Sequence, residues 1–263
     1  CIRDRNIDRI ERKTHCMKLI QPPKHFQIVA HRGFSKMYPE NTKSAYQAAL
    51  GRHIQMLEID LHMTKDDVLV SIHDDTIDRT SDHTGEIKSY TLDALREFDF
   101  GSWKAGSKKE EIMTFDEVLT LAKNFSKTLL IEIKKPHLYP GIEEAIVQTI
   151  KKHNFPFNRI IIQSFDQKSI QKLHDLAPYI QLGVLLSKRK YWLKQPAFQE
   201  LAQFADFANP NFKLVNKKFI SKAHQHHLKV IPYTVNRMED AKRLIQLGVD
   251  GIISDAPNEL FKV

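Results

Sequence analysis

Two histidines and three carboxylates stand where an apolar segment would not tolerate them without a purpose. Glu58 and Asp60 are two apart in Met-Leu-Glu-Ile-Asp-Leu, so on an extended strand both face the same side. Glu132 lies in the similar run Leu-Leu-Ile-Glu-Ile-Lys. Burying unpaired carboxylates there is costly, and a cation shared between them removes the cost. Three converging carboxylates make a hard-oxygen site suited to Mg²⁺ or Ca²⁺ rather than Zn²⁺. The competing expectation is that each pairs with a buried lysine or arginine. His62 continues the face of Glu58 and Asp60. It is a possible fourth ligand, with a lining or loop-bonding role as the plainer expectation.

His31 and His73 each end an apolar extended run and are each followed by a charged residue, Arg32 and Asp74. Histidine can take up and release protons near neutral pH, so two on opposite sides of a phosphorus can deprotonate a nucleophile and protonate a leaving alkoxide. Arg32 can bind the phosphate through its planar fork, and Lys134 as a point charge. Arg32 could instead pair with Glu58. Gly33 would let the backbone turn sharply beside them. His53, His137 and the cluster His224, His226 and His227 lie away from strand ends and are expected at the surface.

Such residues need strands to aim them. Short β-branched runs alternate with segments of helical period, which predicts parallel strands with helical crossovers. Eight strands are predicted, at Gln27–His31, Met56–Leu61, Leu129–Lys134, Arg159–Ser164, Gln181–Leu186, Asp206–Asn209, Lys229–Thr234 and Gly251–Ser254. With 263 residues, one (β/α)₈ TIM barrel accounts for the chain, and the polar residues fall at strand C-terminal ends, where barrel enzymes keep their sites. Thr114 with Glu117 predicts a capping box opening a helix over Phe115–Phe125. Asn236 with Glu239 predicts another opening Arg237–Leu247, stopped by Gly248. Helices are also expected over Gly141–His153 and Lys43–Arg52. The long interval from 62 to 114 exceeds what a plain barrel needs. It holds a second extended run, Val68–His73, and reads as an insertion at about residues 75–113 capping the mouth. Residues 1–24 read as a polar lead-in and 25–263 as the barrel domain.

No apolar run approaches the roughly 18 residues of a membrane span, and the charged residues of Cys1–His15 do not fit an ordinary secretory signal. The two cysteines, Cys1 and Cys16, precede the first strand, so a disulfide framework is not implied and a reducing, cytoplasmic setting is expected. A lipid-modified Cys1, or a start at Met17, are the alternatives at this end. The net charge of +8 is scattered. No zinc-finger spacing or interleaved-aromatic signature accompanies it, and a small molecule rather than nucleic acid is the expected partner. Oligomeric state is not legible.

In this order, the residues resemble the glycerophosphodiester phosphodiesterase family. His31-Arg32-Gly33 is followed by Pro39-Glu40-Asn41-Thr42, Glu58-Ile59-Asp60, Thr64-Lys65-Asp66 and His73-Asp74. Later come Glu132-Ile133-Lys134, Gln163-Ser164-Phe165, Thr234-Val235-Asn236 and Val249-Asp250-Gly251-Ile252-Ile253-Ser254-Asp255. The resemblance spans roughly residues 26 to 260. It implies a barrel with an insertion after the second strand. It also implies metal-dependent hydrolysis of glycerophosphocholine, glycerophosphoethanolamine and similar deacylated phospholipids to glycerol 3-phosphate and an alcohol. Carried over, it makes His31 and His73 the acid–base pair, gives the metal to Glu58, Asp60 and Glu132, and the phosphate to Arg32 and Lys134. Where many members carry tryptophan before Thr-Val-Asn, this chain has Pro232-Tyr233. Tyr233 takes the place of that aromatic wall, which leaves the alcohol preference open. Three rival readings share the residues. A lysophospholipase D would use Phe98, Phe100 and Trp103 as an acyl groove, with ordinary packing as the plainer expectation. A non-catalytic barrel would bind phosphodiesters or anionic membrane. A carbon–carbon lyase would use Lys134 as a Schiff base.

Overall fold

The computed structural model describes residues 19–263. Cys1, Cys16, Met17 and most of the expected lead-in lie outside the described residues. The described end of the lead-in is pinned to the barrel, where the backbone N–H of Ile20 donates to the carbonyl of Leu260 at 2.9 Å.

Nine strands form one sheet: β1 (Gln27–Ala30), β2 (Met56–Met63), β3 (Leu69–Ser71), β4 (Met113–Thr114), β5 (Thr128–Ile133), β6 (Ile160–Ser164), β7 (Gln181–Leu186), β8 (Phe207–Pro210) and β9 (Gly251–Ser254). Pairing is parallel through β9-β1-β2-β5-β6-β7-β8. With helices on the outside, this is the expected (β/α)₈ barrel. Side chains alternate between inside and outside along each strand. Inward positions at the lower end are apolar, and Val29, Met56, Leu130, Ile161, Phe207, Ile231 and Ile253 form a plug. Two residues further along, the same faces carry His31, Glu58, Glu132, Gln163 and Asn209. Outward positions such as Leu57, Ile59, Leu129, Ile131 and Ile162 join the larger core beneath the helices. Each such aliphatic contributes on the order of 1.5–3 kcal/mol by leaving water. The apolar layers therefore stabilise the fold while the polar layer sits at one mouth.

The predicted seventh strand, Lys229–Thr234, closes the barrel without being a regular strand. It pairs with β8 and the residue after it through the isolated bridges Phe207–Lys229 and Asn211–Tyr233 instead of a continuous ladder. Pro232 has no N–H to give. The N–H of Ile231 goes to the side chain of Asn209 at 3.0 Å, and that of Val230 to Asp250 at 2.7 Å. Polar side chains thus supply bonds that a ladder would have made.

Thr114 and Glu117 form the expected capping box at the helix Phe115–Lys123. The other predicted box does not form. Helix Met238–Leu247 begins at Arg237 with no side-chain cap, because Asn236 is used elsewhere. Its amide donates to Asp255 at 2.6 Å and its carbonyl oxygen accepts from the N–H of Asp255 at 2.9 Å. Gly248 stops that helix at φ +87°. His53, His137, His224 and His227 are exposed, as expected, whereas His226 is half-buried.

The run Val68–His73 turns back on β2 as the antiparallel β3, which then pairs with β4. Residues between β3 and β4 hold a small core of their own, with Val70, Ile72, Ile77, Ile87, Leu95, Phe100 and Ile112 buried together. Phe98 packs against that cluster and stacks on His83, so Phe98 and Phe100 are packing residues and only Trp103 of the three is exposed. The segment between β3 and β4 is tied to the loop after β1. Lys104 Nζ donates to the carbonyl of Ser35 at 2.8 Å, and Arg79 forks onto Glu40 with two bonds of 2.8 Å.

Candidate active site

Glu58 and Asp60 project inward from β2 and Glu132 from β5, where Asp60 and Glu132 are direct partners in the register. A carboxylate oxygen from each lies within 4.8 Å of the others, and the residues are 1 %, 0 % and 7 % exposed. Burial pushes the Glu58 carboxyl well up, and the neighbouring Asp60 and Glu132 add to it. Burial would do the same to Asp60, but Lys134 and Arg32 outweigh it and hold that carboxyl down. The competing expectation of lysine and arginine partners is partly met. Lys134 Nζ lies 2.7 Å from Glu132 and 3.7 Å from Asp60, and Arg32 Nε lies 3.2 Å from Asp60. Glu58 Oε1 and Asp60 Oδ1 nevertheless have no hydrogen-bond partner although buried. Two orphaned anionic oxygens beside a third carboxylate fit a divalent cation.

Both candidate histidines are held by a carboxylate at the same ring nitrogen. His31 Nδ1 lies 2.5 Å from Asp255 Oδ1, and His73 Nδ1 lies 2.6 Å from Asp74 Oδ1. Burial would raise the Asp255 carboxyl, but hydrogen bonds from His31, Asn236 and Ser35 bring it down to about 2. Asp74 is held at about 2 in the same manner, against burial, by Arg79 and His73. A carboxylate at Nδ1 fixes the ring and its tautomer, and leaves Nε2 for proton exchange. His73 is pulled down by burial, which favours its neutral, proton-accepting form.

Arg32 follows β1 at φ +55° and Gly33 at φ +81°. This tight left-handed turn points the Arg32 N–H at Glu58 Oε2, 2.8 Å away. The alternative pairing of Arg32 with Glu58 is therefore made by the backbone. The guanidinium goes to Glu40 at 2.8 Å and to Asp60. A Cβ on Gly33 would lie 2.6 Å from the Ala45 carbonyl carbon and oxygen. Gly33→Ala is accordingly expected to destabilise the fold by about 2 kcal/mol or more. Urea unfolding checks this, and a midpoint unchanged from wild type would refute it.

His31, Arg32, Glu58, His73, Glu132, Lys134 and Tyr233 line one cavity of about 170 Å³ at the mouth, with Gln163 and Phe165. Asp60 is fully buried and does not line it. The Tyr233 hydroxyl donates to the carbonyl of Leu186 at 3.2 Å, and its ring meets Phe165 edge-on at 5.9 Å. His62 takes the plainer of its two expected roles. It contacts the Tyr139 hydroxyl at 2.7 Å and the carbonyl of His73 at 3.1 Å, and burial lowers its pKa to about 4. Four residues that the sequence reading quoted without a role support the site. Asp255 is far in sequence from His31, Glu40 reaches both nearby Arg32 and distant Arg79, and Asn41 bonds Asp60 at 2.9 Å. Asp74 could have been found from its place beside His73.

Two half-buried cations, two carboxylate-held histidines and a carboxylate trio surround one cavity, an arrangement that suits a phosphoric diester hydrolase, and comparison with known proteins gives the class. The profile of the glycerophosphoryl diester phosphodiesterase family matches residues 31–259. A glycerophosphodiester phosphodiesterase of Caldanaerobacter subterraneus subsp. tengcongensis is 37% identical over 239 residues, covering 90% of this chain and 96% of that protein. One of Bacillus subtilis is 34% identical over 258 residues, covering 92% and 87%. Among solved structures, an Oleispira antarctica phosphodiesterase in complex with the product sn-glycerol-3-phosphate superposes with TM-score 0.81 at 27% identity, covering 89% of this chain and 94% of that one. The chain belongs to the glycerophosphoryl diester phosphodiesterase family and is an enzyme of that class. Among the described residues no helix is long and apolar enough to cross a membrane.

Proposed function

We propose that the chain hydrolyses glycerophosphodiesters such as glycerophosphocholine or glycerophosphoethanolamine to glycerol 3-phosphate and an alcohol, with His31 and His73 as the acid–base pair. The observation that carries the reading is the matched pair of dyads, His31–Asp255 and His73–Asp74, opening on one cavity. The product bound by the Oleispira antarctica relative supports the same substrate class.

The residues divide the work as follows. Arg32 and Lys134 meet the phosphate, whose charge grows in the transition state. Tyr233 and Phe165 wall the cavity on the side of the alcohol. One histidine takes the proton of the glycerol 2-hydroxyl as it attacks phosphorus, while the other gives a proton to the departing alcohol oxygen. A water molecule then opens the cyclic phosphate with the two roles reversed. Glu58, Asp60 and Glu132 would hold one divalent cation, and their all-oxygen donor set suits Ca²⁺ or Mg²⁺. When bound, that cation supplies Lewis-acid charge and a template for the phosphate. The domain division belongs to this reading: a lead-in to residue 24, a barrel from 25 to 263, and an insertion at about 75–113 that begins just after His73. So does a cytoplasmic setting.

The test follows glycerol 3-phosphate release from both substrates after chelation, with Ca²⁺ or Mg²⁺ added back. Release that depends on the added ion is expected. No release with either ion, from folded protein, refutes the assignment. An analogue lacking the 2-hydroxyl is expected to remain uncleaved, and its turnover at the normal rate would replace the cyclic route by direct attack of water.

A further inference from the structure

The loop that follows β7 carries a surface the hydrolysis does not use. From Ser187 to Gln199 the chain has Lys188, Arg189, Lys190 and Lys194 and no carboxylate. Lys188–Tyr191 forms one short helical turn, and the chain then projects Trp192 and Leu193, which are 61 % and 95 % exposed. Lys188 Nζ lies 4.4 Å from the centre of the Trp192 ring, and Lys190 Nζ lies 5.3 Å from that of Tyr191. Beneath the tip is an open cleft of about 320 Å³, floored by Lys213, Leu214 and Phe219.

Leaving a leucine and a tryptophan in water forfeits the gain of burying them. A tip with indole and isobutyl groups foremost and four cationic side chains around them matches the interface of an anionic bilayer. There the indole settles at headgroup depth, the leucine reaches the acyl chains and the cations meet lipid phosphates. A protein partner fits less well, because the apolar pair protrudes singly and does not spread over a flat or concave face.

The position of the tip supports the same occupant. It leaves the C-terminal end of its strand, so it stands at the mouth. Lys190 lines a groove of about 760 Å³ that also includes Lys134 and Phe165 of the candidate active site. Of the eight large apolar residues exposed among the described residues, Met37, Trp103, Phe165, Trp192 and Leu193 belong to the loops after strand ends or to the insertion. The exposed apolar surface is thus concentrated at the end of the barrel that takes substrate.

We infer that the Lys188–Lys194 loop is a docking site for an anionic phospholipid bilayer, which it meets with Trp192 and Leu193 inserted and the barrel mouth facing the lipid. The inference does not depend on which glycerophosphodiester is cleaved. The test is sedimentation of the full chain with vesicles of phosphatidylcholine alone and of phosphatidylcholine mixed with phosphatidylglycerol. Binding is expected only with phosphatidylglycerol present. It should weaken by about fivefold for each of Lys188, Arg189 and Lys194 changed to Gln, and by at least about tenfold for Trp192→Ser with Leu193→Ser. The chain has two tryptophans, so in Trp103→Phe protein the emission of Trp192 should shift to the blue with anionic vesicles. Hydrolysis of a soluble substrate should be unchanged in the loop variants. No sedimentation with anionic vesicles, equal sedimentation with neutral ones, or binding indifferent to the loop substitutions would each overturn the docking site, and the first would return the surface to a protein partner.

Discussion

His31→Ala is expected to lower kcat by about 10²–10⁴-fold with little change in KM, since in the proposed mechanism it removes a proton carrier used in the transition state and not a binding contact. His73→Ala should behave alike. The double variant should be little worse than either single one, because two groups acting on one phosphorus lose their joint effect when the first is removed. Asp255→Asn is the informative companion. It retains the side-chain shape and the Asn236 neighbour but removes the charge that orients His31 through the 2.5 Å contact. A smaller fall in kcat at unchanged KM is expected. Initial rates on glycerophosphocholine, with circular dichroism to show the fold intact, check all four. A His31→Ala protein keeping a third or more of wild-type kcat would remove this histidine from the chemistry.

Glu58→Gln should lower activity and raise the stability of the cation-free protein together. Without a cation, Glu58 Oε1 is buried without a partner beside Asp60 and Glu132. A neutral amide of nearly the same shape relieves that repulsion. With a cation the order reverses. At a hundredfold excess over Kd the wild type gains about 2.7 kcal/mol, whereas the variant has lost a ligand and gains little. Thermal melts in chelator and then in Ca²⁺ or Mg²⁺ would show the crossing of the two proteins. Equal shifts in wild type and variant would place the cation elsewhere, and no shift in either would deny the trio a cation.

How much of this was legible in the sequence follows from where the constraints lie. The carboxylate trio could be read because charge inside Leu-Glu-Ile-Asp-Leu contradicts the apolar run around it, and period-two alternation then places Glu58 and Asp60 on one face. The barrel could be read from the same alternation repeated between helical segments. What could not be read depends on partners distant in sequence. Nothing local shows that Asp255 would hold His31, or that Glu40 would be shared by Arg32 and Arg79. The Asn236 cap failed for the same reason: Ser254 and Asp255 compete for that side chain and win it. The closing segment 229–234 has strand composition, but Pro232 lacks an N–H and Asn209 and Asp250 take the neighbouring ones by side-chain bonds, and only the fold brings these together. The exposed tip at Trp192 and Leu193 is equally invisible, since an apolar pair in sequence is more often buried.

The segment after β3 gives the mouth an adjustable half. His31 directly follows β1, whereas His73 lies two residues beyond β3, on the chain that enters the cluster of Val70, Ile72, Ile77 and Leu95. The gap between the two histidines is therefore set partly by how large those hidden aliphatic side chains are. A lineage could widen or narrow the cleft for a bulkier or slimmer alcohol by exchanging valine, isoleucine and leucine there, leaving Arg32, Lys134 and both histidines untouched. Specificity and chemistry would then drift separately, one in a small satellite core and the other in the barrel.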